Sequence, residues 1–188
     1  IIVWNLVRLA ITLLPLIDPL QSKAIIKAEK IIKSFDKKFF ENWNFSSLKK
    51  IGISNPKTGD NILVEELLTR IAAQNADFTQ TFLQLNPLTQ NIHLSETSIL
   101  SQDWKEKWKS RIKSENRPYQ IMSEVNPVFI PRNHLVEKAI QDALNGDYNF
   151  FYRLLNASEV PFKYEEKNSD LYQIPHNYEL VTKTFCGT

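Results

Sequence analysis

Apolar residues fill most of the first seventeen positions of the chain, Ile1 to Ile17, and Asn5, Arg8, Thr12 and Pro15 are the interruptions. At roughly 100° of helical turn per residue, these four fall within a stripe of about 80°. The pattern predicts a helix buried on most sides with one narrow polar seam. These residues argue against a membrane or signal segment. Arg8 sits mid-segment, where charge is costly in lipid, and no basic start or small-residue cleavage site accompanies it.

The next pattern is amphipathic. Ile25, Ala28, Ile32, Phe35 and Phe39 recur at spacings of three and four, which predicts a helix over 21–42. Lys23, Lys27, Lys30, Lys33, Lys37 and Lys38 lie mostly off that stripe and read as a solvated face. Residues 44–60 read as a connector, with turn signals at Asn55-Pro56 and Thr58-Gly59. Asp60 is placed to cap a helix over 61–74 whose buried face is Leu63, Leu67, Leu68 and Ile71. Asp77 is placed to cap another, carrying Phe78, Phe82 and Leu85 and stopping near Pro87.

Residues 87–100 are polar and read as a loop. Helices follow over 101–114, with Trp104, Trp108 and Ile112 on one face, and from Pro118 to near Asn126-Pro127. Pro131 to Leu144 is the clearest helix. Pro131 suits its first turn, Asn145-Gly146 its end, and Leu135, Ala139, Ile140 and Ala143 its inner face. Asp147 then caps a helix carrying Phe150, Phe151, Leu154 and Leu155. After Pro161 the chain turns polar with scattered Tyr164, Tyr172 and Tyr178, which suggests an extended tail. No strand pair and no solenoid repeat stands out. The expectation is an all-α chain: an irregular helical bundle of about seven or eight helices over residues 1–160, with an extended tail over 161–188.

Composition narrows the function classes. The chain has 188 residues, 43% hydrophobic and 23% charged, enough for a real core. Its four glycines argue against a Gly-rich nucleotide loop. A net charge of +2 is weak for a nucleic-acid binder. The single cysteine, Cys186, rules out an internal disulfide and suits a reducing, cytoplasmic-type compartment.

Candidate chemistry is sparse. His93, His134 and His176 lack metal-ligand spacing, and no Walker loop or GxGxxG is present. Asp60-Asn61 and Asp77-Phe78-Thr79 have the look of kinase catalytic strings, but both aspartates stand where helix caps are needed. The run from Asp103 to Lys113 mixes tryptophan with base, as a single-strand nucleic-acid surface does. The shared face of Trp104, Trp108 and Ile112 favours core packing instead. Arg132 opposes the helix dipole at the start of the 131–144 helix. It therefore calls for a carboxylate or carbonyl partner, either structural or in a site shared with other sequence.

Several segments, in order, resemble the C-terminal part of the selenoprotein O family. They are Trp4-Asn5-Leu6-Val7-Arg8-Leu9-Ala10 with Leu14-Pro15-Leu16-Ile17, Asp60-Asn61 with Leu67-Leu68, and Asp77-Phe78-Thr79 with Thr81-Phe82. Asn126-Pro127, Arg132-Asn133-His134-Leu135, Ala139-Ile140 with Ala143, Gly146-Asp147, Pro161-Phe162 and a terminal Phe185-Cys186-Gly187-Thr188 follow. The resemblance implies a kinase-like protein that uses ATP and Mg²⁺ to transfer AMP to Ser, Thr or Tyr hydroxyls of proteins. It places the catalytic lysine, the Asp-Asn pair and the metal aspartate upstream of Trp4, so no catalytic, cofactor-binding or metal residue is expected in this chain.

Cys186 is the one functional position carried over, with a redox or regulatory role. The implied partners are the upstream kinase-like portion and the protein substrates, with no membrane and no nucleic acid. Self-association through an exposed apolar patch is the accompanying expectation. The absence of Met before the apolar first helix reads as a boundary inside a longer protein. The alternative is a stand-alone all-α interaction module without enzymatic activity.

Overall fold

A computed structural model describes residues 1–89 and 99–180. Among them it holds nine α-helices, a few 3-10 turns and no strand. The all-α expectation holds, with one helix more than anticipated. The extra helix arises because residues 21–42 are not one helix. α2 (Gln21–Lys33) ends at Ser34, whose backbone N–H and hydroxyl both turn back to the Ile31 carbonyl, at 3.0 and 2.7 Å. α3 (Phe35–Lys50) begins at once and runs on through the expected connector, since residues 43–50 contain no glycine or proline to stop it.

The chain divides into two compact units, residues 1–46 and residues from Ser47 onward. In the first, α1 (Ile2–Ile17) and α2 lie against each other. Asp18 pins the turn between them, with one carboxylate oxygen taking the Leu20 N–H at 2.9 Å and the other the Lys27 ammonium at 2.7 Å. Ala24 and Ala28 are the buried residues of α2, small enough to let helices approach closely. The six lysines of the 21–42 stretch are exposed, as their placement off the apolar stripe predicts.

The second unit holds the core, in two clusters. The first gathers Leu48, Ile51, Ile53, α4 (Asp60–Ala73), α6 (Gln102–Ile112) and Met122 of α7 (Pro118–Val125). Trp104 and Trp108 stack inside it at 5.8 Å, and their indole N–H groups donate to the carbonyls of Leu63 (3.0 Å) and Ile51 (2.7 Å). Gly52 passes so close to α7 that a Cβ there would stand 3.1 Å from Pro118, and its φ of +83° suits glycine alone. The second cluster joins Val128 and Phe129 to α8 (Asn133–Leu144), α9 (Asn149–Glu159) and Leu171 with Tyr172. The short α5 (Phe78–Gln84) serves both, with Phe82 in the first and Leu83 in the second.

Three local expectations are corrected. Pro131 precedes α8 rather than opening its first turn, because Arg132, still extended, is the cap whose carbonyl takes the first helical bonds. Asp147 bonds the Asn149 N–H at 2.9 Å, but the cap position of α9 is Tyr148. The described part of the segment after Pro161 coils into 3-10 turns at Glu166–Tyr172 and Asn177–Glu179, instead of lying extended. Leu171 and Tyr172, the apolar residues of the first of these turns, are both buried. No helix among the described residues is long and apolar enough to cross a membrane.

Candidate functional site

Two ion-pair networks contain the side chains best able to carry chemistry. The first centres on Arg111 of α6. Its Nε and one Nη grip both oxygens of Asp60 at 2.7 and 2.8 Å, and its other contacts are Glu115 (2.8 Å), the Ser114 hydroxyl (3.0 Å) and the Asn55 carbonyl (2.8 Å). All five guanidinium donors are thereby used. The second Glu115 oxygen accepts the N–H of Ser54, the N–H and side-chain amide of Asn55, each at 3.1 Å, and the Ser54 hydroxyl at 2.9 Å. Burial pushes the Glu115 carboxyl up, but Arg111 and these donors more than offset it and hold the group at about 2. The network clamps the Ser54–Asp60 loop onto α6.

Asp60 is therefore not the side-chain cap the sequence suggests. Gly59 holds the cap position of α4, and Asp60 instead takes the Lys57 N–H at 2.7 Å beside Arg111. The competing attraction of the partly buried Arg111 guanidinium explains the difference. Arg111, Glu115 and Ser54 were not singled out from sequence, and Asn55 only as a turn residue. The four-residue spacing of Arg111 and Glu115 was the available signal.

The second network bears out the partner expected for Arg132. Its guanidinium meets both oxygens of Asp77, at 2.6 and 3.0 Å, and Asp77 also caps α5 through the Gln80 N–H at 2.8 Å. Burial raises the Asp77 carboxyl, while Arg132 and the backbone donors outweigh it and leave it below the usual range. With both oxygens committed, Asp77 ties α5 to the start of α8 and is not arranged as a metal ligand.

The remaining candidates separate. Trp104 and Trp108 are 0% and 4% exposed, so they pack and do not present faces for base stacking. His134 is half-buried, which lowers its pKa, and His176 caps the last 3-10 turn. Among the described residues no group of three or more His, Cys, Asp or Glu could hold a metal ion. His93 and Cys186 lie outside the described residues.

Apolar surface is the more distinctive feature. α1 has no buried residue, which corrects the expectation of a helix covered on most sides: within its own unit α2 packs on it and leaves Trp4, Leu9 and Leu16 exposed. On α8 and α9 the inner stripe is narrower than the sequence predicts. Leu135, Ala139 and Leu154 are buried, whereas Ile140, Phe151 and Leu155 are 48%, 46% and 44% exposed. These outward residues, with Val136 and Leu144, line a groove of about 550 Å³.

Comparison with known proteins gives a consistent picture. The family model described as protein adenylyltransferase SelO matches residues 1–159. Proteins named protein nucleotidyltransferase YdiU are similar along nearly the whole chain. The one from Clostridium perfringens strain SM101 is 37% identical over 98% of this chain, that from Rhizobium johnstonii 38% over 98%, and that from Ruegeria pomeroyi 37% over 100%. In each case the chain covers 39% of the relative's length.

Proposed function

Because the chain belongs to the protein adenylyltransferase SelO family, we propose that the protein containing it transfers AMP from ATP to Ser, Thr or Tyr hydroxyls of proteins. In this reading residues 1–188 form the C-terminal helical portion of a kinase-like enzyme, with Cys186 as its redox position. The observation that carries it is the family match over residues 1–159, combined with coverage of only 39% of the relatives.

In the proposed reaction the acceptor oxygen attacks the α-phosphorus of ATP. A new P–O bond forms, the bond to the β-phosphate oxygen breaks, pyrophosphate leaves and the hydroxyl proton goes to a base. Such chemistry depends on positioned positive charge around the phosphates. The described residues do not fit the ATP and Mg²⁺ site: Asp60, Glu115 and Asp77 are each committed to an arginine, and no metal-holding group is present among them. No catalytic step is therefore assigned to the described residues. Its role is scaffold, with the Arg111 and Arg132 networks fixing the helices on which the rest of the enzyme is built.

The test uses the full-length protein with Mg²⁺, a mixture of acceptor proteins and ATP labelled on either the α- or the γ-phosphate. Label from the α-position is expected on protein, and none from the γ-position. Transfer of γ-label, or of neither, overturns the proposal.

A further inference from the structure

α1 presents an apolar edge and a lone cation side by side. Leu9, Leu13 and Leu16 share one edge of the helix and are 54%, 39% and 84% exposed. Trp4 and Ile11 stand on the far side of the polar seam, 59% and 50% exposed. Apolar surface gathered on one helix in this way marks a contact site.

Arg8 lies within the seam. Its guanidinium sits 5.0 Å over the Trp4 ring, and none of the ion pairs among the described residues includes it. α1 itself has no acidic residue, and the adjoining Asp18 is committed to Lys27 and the Leu20 N–H. Covering the leucines and Trp4 would take Arg8 out of water with them. A desolvated guanidinium is tolerable only with a hydrogen-bonding anion beside it.

We propose that α1 docks onto the part of the same polypeptide that lies outside residues 1–188, and that this surface is apolar apart from one carboxylate, which pairs with Arg8. The occupant follows from length. Relatives that match this chain along 98–100% of it are covered over only 39% of their own length, so the larger part of the protein is available to close over α1. The proposal rests on the reading of the chain as part of a longer enzyme, and it adds the contact edge and the charge it must meet.

The experiment uses the full-length protein in a Cys186→Ser background, carrying Leu16→Cys or, as an exposed control, Lys37→Cys. Maleimide labelling is followed on monomeric protein isolated by gel filtration. Docking predicts that Leu16→Cys reacts at least about tenfold more slowly than Lys37→Cys, and as fast only after unfolding in urea. Equal rates overturn the proposal, and so does protection that appears only in a dimer fraction, which would assign the edge to a second copy.

For the carboxylate, Arg8→Met is expected to lower the urea midpoint and Arg8→Lys to recover most of the loss. No loss in Arg8→Met, or equal loss in both, removes the ion pair. Labelling does not depend on nucleotide transfer, so it fails or succeeds independently of the AMP-transfer assay.

Discussion

α1 and α4 are helices of similar length, 16 and 14 residues, with opposite fates. α4 carries four charged side chains yet buries Asp60, Leu63, Val64, Leu67 and Ile71. α1 carries one, Arg8, and buries nothing. Hydrophobicity states a need for cover without saying where the cover comes from. For α4 it comes from within the described chain. Trp104 fills the space over it and bonds the Leu63 carbonyl, and Arg111 reaches across to Asp60. For α1 the main neighbour in its own unit is α2, and one edge stays exposed.

The sharpest way to break the comparison is to cut the cover from α4. In the 188-residue chain Trp104→Ala is expected to cost about 3–5 kcal/mol, the loss of a fully buried aromatic together with the cavity it leaves. Urea unfolding measures it, and a loss below about 1 kcal/mol would place the centre of the core elsewhere.

Next comes the electrostatic cover. Glu115→Gln is expected to cost about 2–3 kcal/mol at pH 7, since it weakens hydrogen bonds to a charged group at both oxygens. The effect depends on pH in a defined direction. The folded carboxyl titrates near 2 and its ordinary value is 4.5. Between these values the unfolded chain binds more protons, so the stabilisation is complete above the ordinary value and drains away as pH falls towards 2. Stability curves of wild type and Glu115→Gln should converge on acidification through that window, and parallel curves would show that Glu115 is not the group responsible.

The smallest effect belongs to α1. Leu16→Ala in the 188-residue chain is expected to change stability by less than about 0.5 kcal/mol, as for an ordinary exposed position. A loss of several times that would mean α1 is already covered within this chain.

Much of this architecture was legible from spacing. α4, α6, α7 and α8 fall close to their expected places because a three-to-four residue apolar period meets a proline or cap signal there. The Arg132 partner was legible too, since a cation at a helix start demands an anion. What spacing could not show was pairing across distance. Arg111 and Asp60 are 51 residues apart, and the local spacing of Arg111 to Glu115 does not point to Asp60. The inward faces of α8 and α9 were drawn too wide for a related reason. Ile140 and Leu155 obey the helical period, but a period marks a face as apolar and does not supply its neighbour.

The double duty of α5 bears on how the molecule is made. Its Gln80 side chain donates to the Tyr172 carbonyl at 3.2 Å, across 92 residues of sequence. At translation speeds of about 5–20 residues per second, that acceptor is synthesised some 5–20 s after the donor. The members of the first cluster all precede residue 123 and can gather during that interval. The second cluster, which Leu83 joins, is complete only when Tyr172 has been made. The nascent chain thus holds every member of the first cluster before the second is complete.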